Sequence, residues 1–144
     1  MRIHQTIREI MTTDLVVVSP DTLLDEVNAL FETHTFHHLP VVEKGHLVGI
    51  ISRIDVSGVT HCATLFHSPE NAAYNQRLLH SLRAEEVMTR HTTTIAPDDT
   101  PRYAANLLLR NQFHALPVVV GDRLVGLVTT YDLLKACFDI PILT

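Results

Sequence analysis

Gly126-Leu127-Val128-Thr129-Thr130-Tyr131-Asp132 reads as an apolar strand running into a helix, with a hydroxyl at the junction and a carboxylate three residues later. Gly49-Ile50-Ile51-Ser52-Arg53-Ile54-Asp55 is an earlier copy of the same pattern. Ser or Thr followed at that spacing by an acidic residue resembles a capping box, which satisfies the free amides of a helix start. Capping alone accounts for both residue types. The same geometry also makes a ligand site, because a helix N-terminus with free N–H groups attracts anions. A carboxylate one turn in can accept hydrogen bonds from two sugar hydroxyls. Recurrence of the pattern in two matching contexts favours the ligand reading.

Working outward, the copies belong to an internal repeat with an offset of 77 residues and no gap. Met11-Thr12 maps onto Met88-Thr89, Pro20-Asp21 onto Pro97-Asp98, and Phe36-His37 onto Phe113-His114. Leu39-Pro40-Val41-Val42 maps onto Leu116-Pro117-Val118-Val119, and Leu47-Val48-Gly49 onto Leu124-Val125-Gly126. Each half is expected to run strand-helix-strand-strand-helix. In the first half, Leu15–Val18 reads as a buried strand stopped by Ser19-Pro20. A helix follows over Thr22–Thr33, with Leu23, Leu24, Val27, Leu30 and Phe31 as its apolar stripe. Leu39–Val42 and Leu47–Ile51 form a hairpin around the four residues Glu43 to His46. A second helix starts near Ser52 or Arg53 and is expected to reach about Leu65.

Residues 58–81 break the repeat. Ser68-Pro69 predicts a helix start there, and Leu78, Leu79 and Leu82 give that linker helix an apolar face. In the second half, Thr92–Ile95 is the first strand. Asp99 or Thr100 caps a helix with Pro101 in its first turn and Tyr103, Ala104, Leu107 and Leu108 on its inner face. Leu116–Val120 and Leu124–Val128 pair around Gly121-Asp122. The last helix begins at Thr129 or Thr130, carries Leu133, Leu134 and Cys137, and ends before Pro141. Ahead of everything, Ile3, Ile7 and Ile10 give residues 1–10 one apolar face. One such half has too little core to stand comfortably alone. Two halves are expected to pack through their sheets around a pseudo-two-fold axis, an α+β arrangement with two related sites. The division is 1–57, a linker at 58–81, and 82–144, together one globular pair.

A hydrophobic content of 46% over 144 residues supports a folded chain, and a net charge of -5 with no basic run argues against nucleic acid as a polymer. An anionic ligand must then be held by local groups. Cys62 and Cys137 form no CxxC and read as packing thiols of a reducing compartment. There is no signal-peptide core at Met1-Arg2-Ile3-His4-Gln5 and no apolar run of about 18 residues, so a cytoplasmic protein away from membranes is expected.

The order Met-Thr, β-rich stretch, helix, Leu-Pro-Val-Val and Gly-x-x-[Ser/Thr]-x-x-Asp resembles the CBS domain, named after cystathionine β-synthase. Residues 7–57 look like one CBS motif and 82–136 like a second, about three-quarters of the chain, with no catalytic domain attached. The resemblance implies a regulatory pair that binds AMP, ADP, ATP or S-adenosylmethionine, needs no cofactor, forms a homodimer through its helices, and signals to an unidentified protein. It implies that Asp55 and Asp132 grip ribose hydroxyls and that Ser52 and Thr129 face ribose or phosphate. The segment after Met-Thr lines the adenine from the opposite repeat. By that crossing, Asp132 works with Thr12, Val16 and the Phe36-His37 pair, and Asp55 works with Thr89 and the Phe113-His114 pair. Family members that place a basic residue before Leu-Pro use it on phosphates; here those positions hold His38 and Ala115. His38, Arg53, Arg90 and His91 are candidate cations for the Asp55 site, against His114 for the Asp132 site, with Asp14 nearby. The Asp55 site is therefore expected to prefer more phosphates, and the Asp132 site AMP or adenosine.

Two other readings compete. No nucleophile elbow, P-loop or HExxH supports an enzyme. Ten His residues, with His34, His37 and His38 in one loop, raise a transition-metal sensor, although no spacing defines a ligand set. A ligand-independent assembly module would use Gly49 and Gly126 for close packing and the Ser/Thr–Asp pairs only as caps.

Overall fold

A computed structural model describes residues 5–61 and 69–138. These fall into two compact units, one of residues 16–91 and one of residues 1–15 with 92–144. Compact unit and sequence repeat are therefore offset. The entry segment of each half, carrying Met11-Thr12 or Met88-Thr89, packs in the unit of the other half's hairpin. The fold is α+β.

In the unit of residues 16–91, α2 spans Leu24–Thr33 and buries Leu24, Val27 and Phe31. It starts later than expected because Thr22 closes a turn first. The Thr22 amide donates to the Ser19 carbonyl at 3.1 Å, and the Ser19 amide to the Thr22 hydroxyl at 3.0 Å. The first Leu24 amide then finds the Leu82 carbonyl at 2.9 Å. The expected Leu15–Val18 strand is reduced to one parallel bridge, Val18 with Val41. Only Val18 of that stretch is buried, with Val16 packed beside the core and Val17 43% exposed. Strands β1 (His38–Glu43) and β2 (His46–Ser52) pair antiparallel, Leu39 opposite Ile51 and Val41 opposite Gly49. The connection tightens to two residues, Lys44 and Gly45, both at positive φ (52° and 83°), the geometry that matches strand twist. Helix α3 covers Arg53–His61, and its expected extension to Leu65 lies outside the described residues. Helix α4 covers Pro69–Ser81 and buries Leu79, with Leu82 packed behind it; the Ser68 cap also lies outside. A short α5 (Ala84–Val87) leads to Thr89, which bridges Ile50 antiparallel.

The other unit begins with α1 (Ile7–Ile10), closed by a capping box between Thr6 and Glu9. Ile7 is fully buried and Ile10 packs beside it, as the lead-in spacing predicts. Thr12 bridges Leu127 antiparallel, and the Thr92–Ile95 strand is again a single bridge, Ile95 with Val118. Helix α6 (Pro101–Asn111) is capped by the Thr100 hydroxyl, which accepts from the Tyr103 amide at 3.1 Å. Pro101, Ala104 and Leu108 form its buried stripe. Tyr103, expected on that face, is 48% exposed, because it precedes Ala104 by one residue and is rotated about 100° from it. Strands β3 (Ala115–Val120) and β4 (Arg123–Thr129) repeat the first hairpin, Leu116 opposite Val128 and Val118 opposite Gly126. Helix α7 (Thr130–Phe138) packs Leu133 inward and leaves Leu134 and Cys137 exposed. No described helix is long and apolar enough to cross a membrane.

Both hairpin glycines are required by the crossing segments. A Cβ on Gly126 would stand 2.6 Å from the Met11 sulfur and 3.2 Å from the Thr12 carbonyl oxygen. One on Gly49 would stand 2.5 Å from the Met88 sulfur and 2.9 Å from the Thr89 carbonyl oxygen. Each Met-Thr pair thus lies directly on a strand residue that has no side chain.

Candidate functional site

Where each hairpin runs into its following helix, a hydroxyl and a carboxylate build the helix start. At β4–α7, the Asp132 carboxylate accepts from the Thr129 amide at 2.9 Å and the Thr129 hydroxyl at 3.1 Å. The Asp132 amide donates back to that hydroxyl at 3.3 Å. These are the reciprocal bonds of a capping box. Two further groups go beyond capping. The Thr12 hydroxyl donates to Asp132 Oδ1 at 3.4 Å, and Lys135 Nζ stands 3.7 Å from the same oxygen. Asp132 is only 5% exposed, so these partners offset the cost of holding a carboxylate away from water.

At β2–α3, the Ser52 amide donates to Asp55 Oδ2 at 2.8 Å and the Asp55 amide to the Ser52 hydroxyl at 3.0 Å. Among the described residues, no donor reaches the second Asp55 oxygen. Asp55 is half-buried and more open than Asp132. Thr89 lies on the neighbouring strand position, its amide on the Ile50 carbonyl at 2.8 Å. The two starts share a plan and differ in how far the carboxylate is already engaged.

Of the remaining candidates, Val16 and Phe36 pack against the core of the Asp55 unit. The Phe36 ring lies edge-on to Phe31 with centroids 6.0 Å apart, and His34 stacks on it at 4.8 Å. His37 is exposed, and its carbonyl accepts the Arg53 amide at 2.8 Å; the exposed His114 accepts the Thr130 amide at 3.2 Å in the same way. His38 is the half-buried first residue of β1. The Arg53 guanidinium donates to the His34 and Phe36 carbonyls at 3.1 and 2.9 Å. Arg90 donates to the Glu85 carbonyl at 3.3 Å.

Lys135 escaped sequence reasoning. Its signal was the i+3 spacing to Asp132, which puts it on the same helix face. The repeat hides it, since the equivalent position is Gly58. Lys135 Nζ also lies 4.6 Å from the centre of the Tyr131 ring, which restrains it. Among the described residues, no group of three or more His, Cys, Asp or Glu side chains could hold a metal ion.

Two β-hairpins, each feeding a helix whose start carries a hydroxyl–carboxylate pair beneath a Met-Thr segment, define a tandem repeat. The chain belongs to the CBS domain family, whose model matches residues 7–60 and 84–139. It is 32% identical over 133 residues to the protein MJ1225 of Methanocaldococcus jannaschii, covering 92% of this chain and 47% of that one. It spans 21% and 22% of two archaeal inosine-5'-monophosphate dehydrogenases, and so less than half the length of these curated relatives. MJ1426 of the same organism is nearer in size, 33% identical over 90% of this chain and 89% of its own length. Among solved structures, the CBS-pair protein CBSX2 of Arabidopsis thaliana in complex with AMP superposes with a TM-score of 0.78. The two are 27% identical over 94% of this chain and 97% of that one.

Proposed function

We propose that this chain is a non-catalytic regulatory module that binds an adenosine-containing ligand at its two hydroxyl–carboxylate helix starts and relays occupancy to a partner protein. The observation that carries this is the convergence of the Thr12 and Thr129 hydroxyls on the buried Asp132 carboxylate. A cap needs only Thr129 and Asp132; the Thr12 hydroxyl, from the crossing segment, is a partner beyond capping. The AMP complex of the similar CBSX2 supports an adenylate as ligand. In this reading Asp55 and Asp132 accept ribose hydroxyls, Ser52 and Thr129 face ribose or phosphate, and the Met-Thr segments with Val16 and Phe36 supply apolar walls. AMP, ADP, ATP and S-adenosylmethionine are the candidates.

Isothermal calorimetry with these four ligands on wild type, Asp55→Ala and Asp132→Ala tests it. Heat in wild type that disappears site by site in the variants is the expected result. No heat and no thermal shift with any ligand would reject the proposal, since a ligand at 100 times its dissociation constant stabilises a fold by about 2.7 kcal/mol.

Assembly is a second proposal with its own observation. Ile54 on α3 is 77% exposed, and Tyr131, Leu134 and Phe138 on α7 are 67%, 54% and 68% exposed. Ile54 and Tyr131 are repeat equivalents. Three large apolar side chains exposed on one helix, α7, favour self-association, here a homodimer.

A further inference from the structure

Arg53 stands between Ser52 and Asp55, where a phosphate-binding cation would be convenient. Its side chain is instead directed into its own chain. One guanidinium nitrogen bonds both the His34 and Phe36 carbonyls, at 3.1 and 2.9 Å, while the backbone amide bonds the His37 carbonyl at 2.8 Å. The guanidinium carbon lies 5.4 Å from the Phe31 ring centre, and Nε is buried without a hydrogen-bond partner. Phe36 meets Phe31 edge-on, and His34 stacks on Phe36. A single residue thus closes the return loop 34–37 onto the first turn of α3.

The second half shows what Arg53 adds. There the loop keeps two of the same fastenings. Asn111 Nδ2 bonds the Leu107 carbonyl at 2.9 Å, as His34 Nδ1 bonds that of Leu30 at 2.9 Å, and the Thr130 amide bonds the His114 carbonyl at 3.2 Å. Position 130 carries no guanidinium, so the clamp on the loop carbonyls belongs to the first half alone.

We infer that Arg53 is a positioning residue, which orders loop 34–37 and through it the helix start presenting Ser52 and Asp55, and that it is not a phosphate ligand. Its effect on affinity rests on the adenylate reading above; the clamp itself does not. One terminal nitrogen reaches both carbonyls while the guanidinium plane lies near the Phe31 ring, whereas a lysine ammonium carries the same charge on a side chain about one bond shorter and without that plane. Positioning therefore predicts that Arg53→Lys fails as Arg53→Met does, and a phosphate contact predicts that it succeeds.

The experiment uses the full chain with Asp132→Ala, which leaves the Asp55 site, and measures AMP and adenosine binding for Arg53, Arg53→Met and Arg53→Lys. Amide hydrogen exchange is followed in parallel. Both variants are expected to weaken AMP and adenosine equally, by about tenfold. Faster exchange is expected in residues 34–38 while the second hairpin stays protected. Selective loss of AMP affinity, recovery in Arg53→Lys, or unchanged exchange at 34–38 would each overturn the inference. If the Asp132→Ala parent binds neither ligand, the adenylate reading falls for the Asp55 site, and the exchange measurement decides the clamp by itself.

Discussion

Thr12 and Asp132 are separated by 120 residues in sequence, and the hydroxyl of one donates to the carboxylate of the other at 3.4 Å. The bond ties the entry segment of the chain to the helix start of its second hairpin. It also occupies the Asp132 oxygen that Thr129 leaves open. Hydrogen bonds to charged groups contribute more than neutral ones, but this one is long. Thr12→Val, which keeps the shape and removes the hydroxyl, is expected to destabilise the fold by about 1 kcal/mol in urea unfolding. The equivalent Thr89→Val should cost less, because among the described residues Thr89 makes no hydrogen bond to Asp55.

The strand glycines offer a graded test. Gly126→Ala meets a flexible methionine sulfur and a carbonyl at 3.2 Å, whereas Gly49→Ala meets a carbonyl at 2.9 Å that cannot move without its strand. Both are expected to destabilise, by about 1–3 kcal/mol, with Gly49→Ala the worse. Adding Met11→Ala to Gly126→Ala should recover part of the loss, giving non-additive free energies in a double-mutant cycle. Additive values would show that the sulfur is not the obstacle.

Acid stability should report the contact between linker helix and α2. His80 Nδ1 lies 2.6 Å from Asp25 Oδ2. The hydrogen bond from His80 is the main cause holding the Asp25 carboxyl below its ordinary value, with backbone bonds assisting and burial opposing. A lowered folded-state pKa contributes stability above the unfolded value, and that contribution vanishes as pH falls through the folded value. His80→Ala should therefore be less stable than wild type near pH 5, with the gap closing by about pH 2 in denaturant melts. A gap that persists at the acid end would point to packing.

Self-association is checked by light scattering on Leu134→Glu and Phe138→Glu. Each places a charge where an exposed apolar side chain stands on α7. A wild-type dimer that becomes a monomer in both variants is expected. A wild-type monomer across the micromolar range would remove the proposed interface.

What the sequence by itself determined is the local and periodic part. The repeat, both hairpins, the helix starts at Ser52 and Thr129, and the α+β class follow from turn chemistry, apolar periodicity and capping, which act over a few residues. Its errors were also local in kind. Two runs read as strands, Leu15–Val18 and Thr92–Ile95, are single bridges, since a strand exists only where a partner strand continues alongside it. Tertiary structure alone decided which segment lies on which. Met11-Thr12 rests on Gly126 and Leu127, and Met88-Thr89 on Gly49 and Ile50. The same holds for the two carbonyls that Arg53 bonds. Such contacts join residues far apart in the chain. They depend on backbone approach and side-chain reach, and neither leaves a mark at either position.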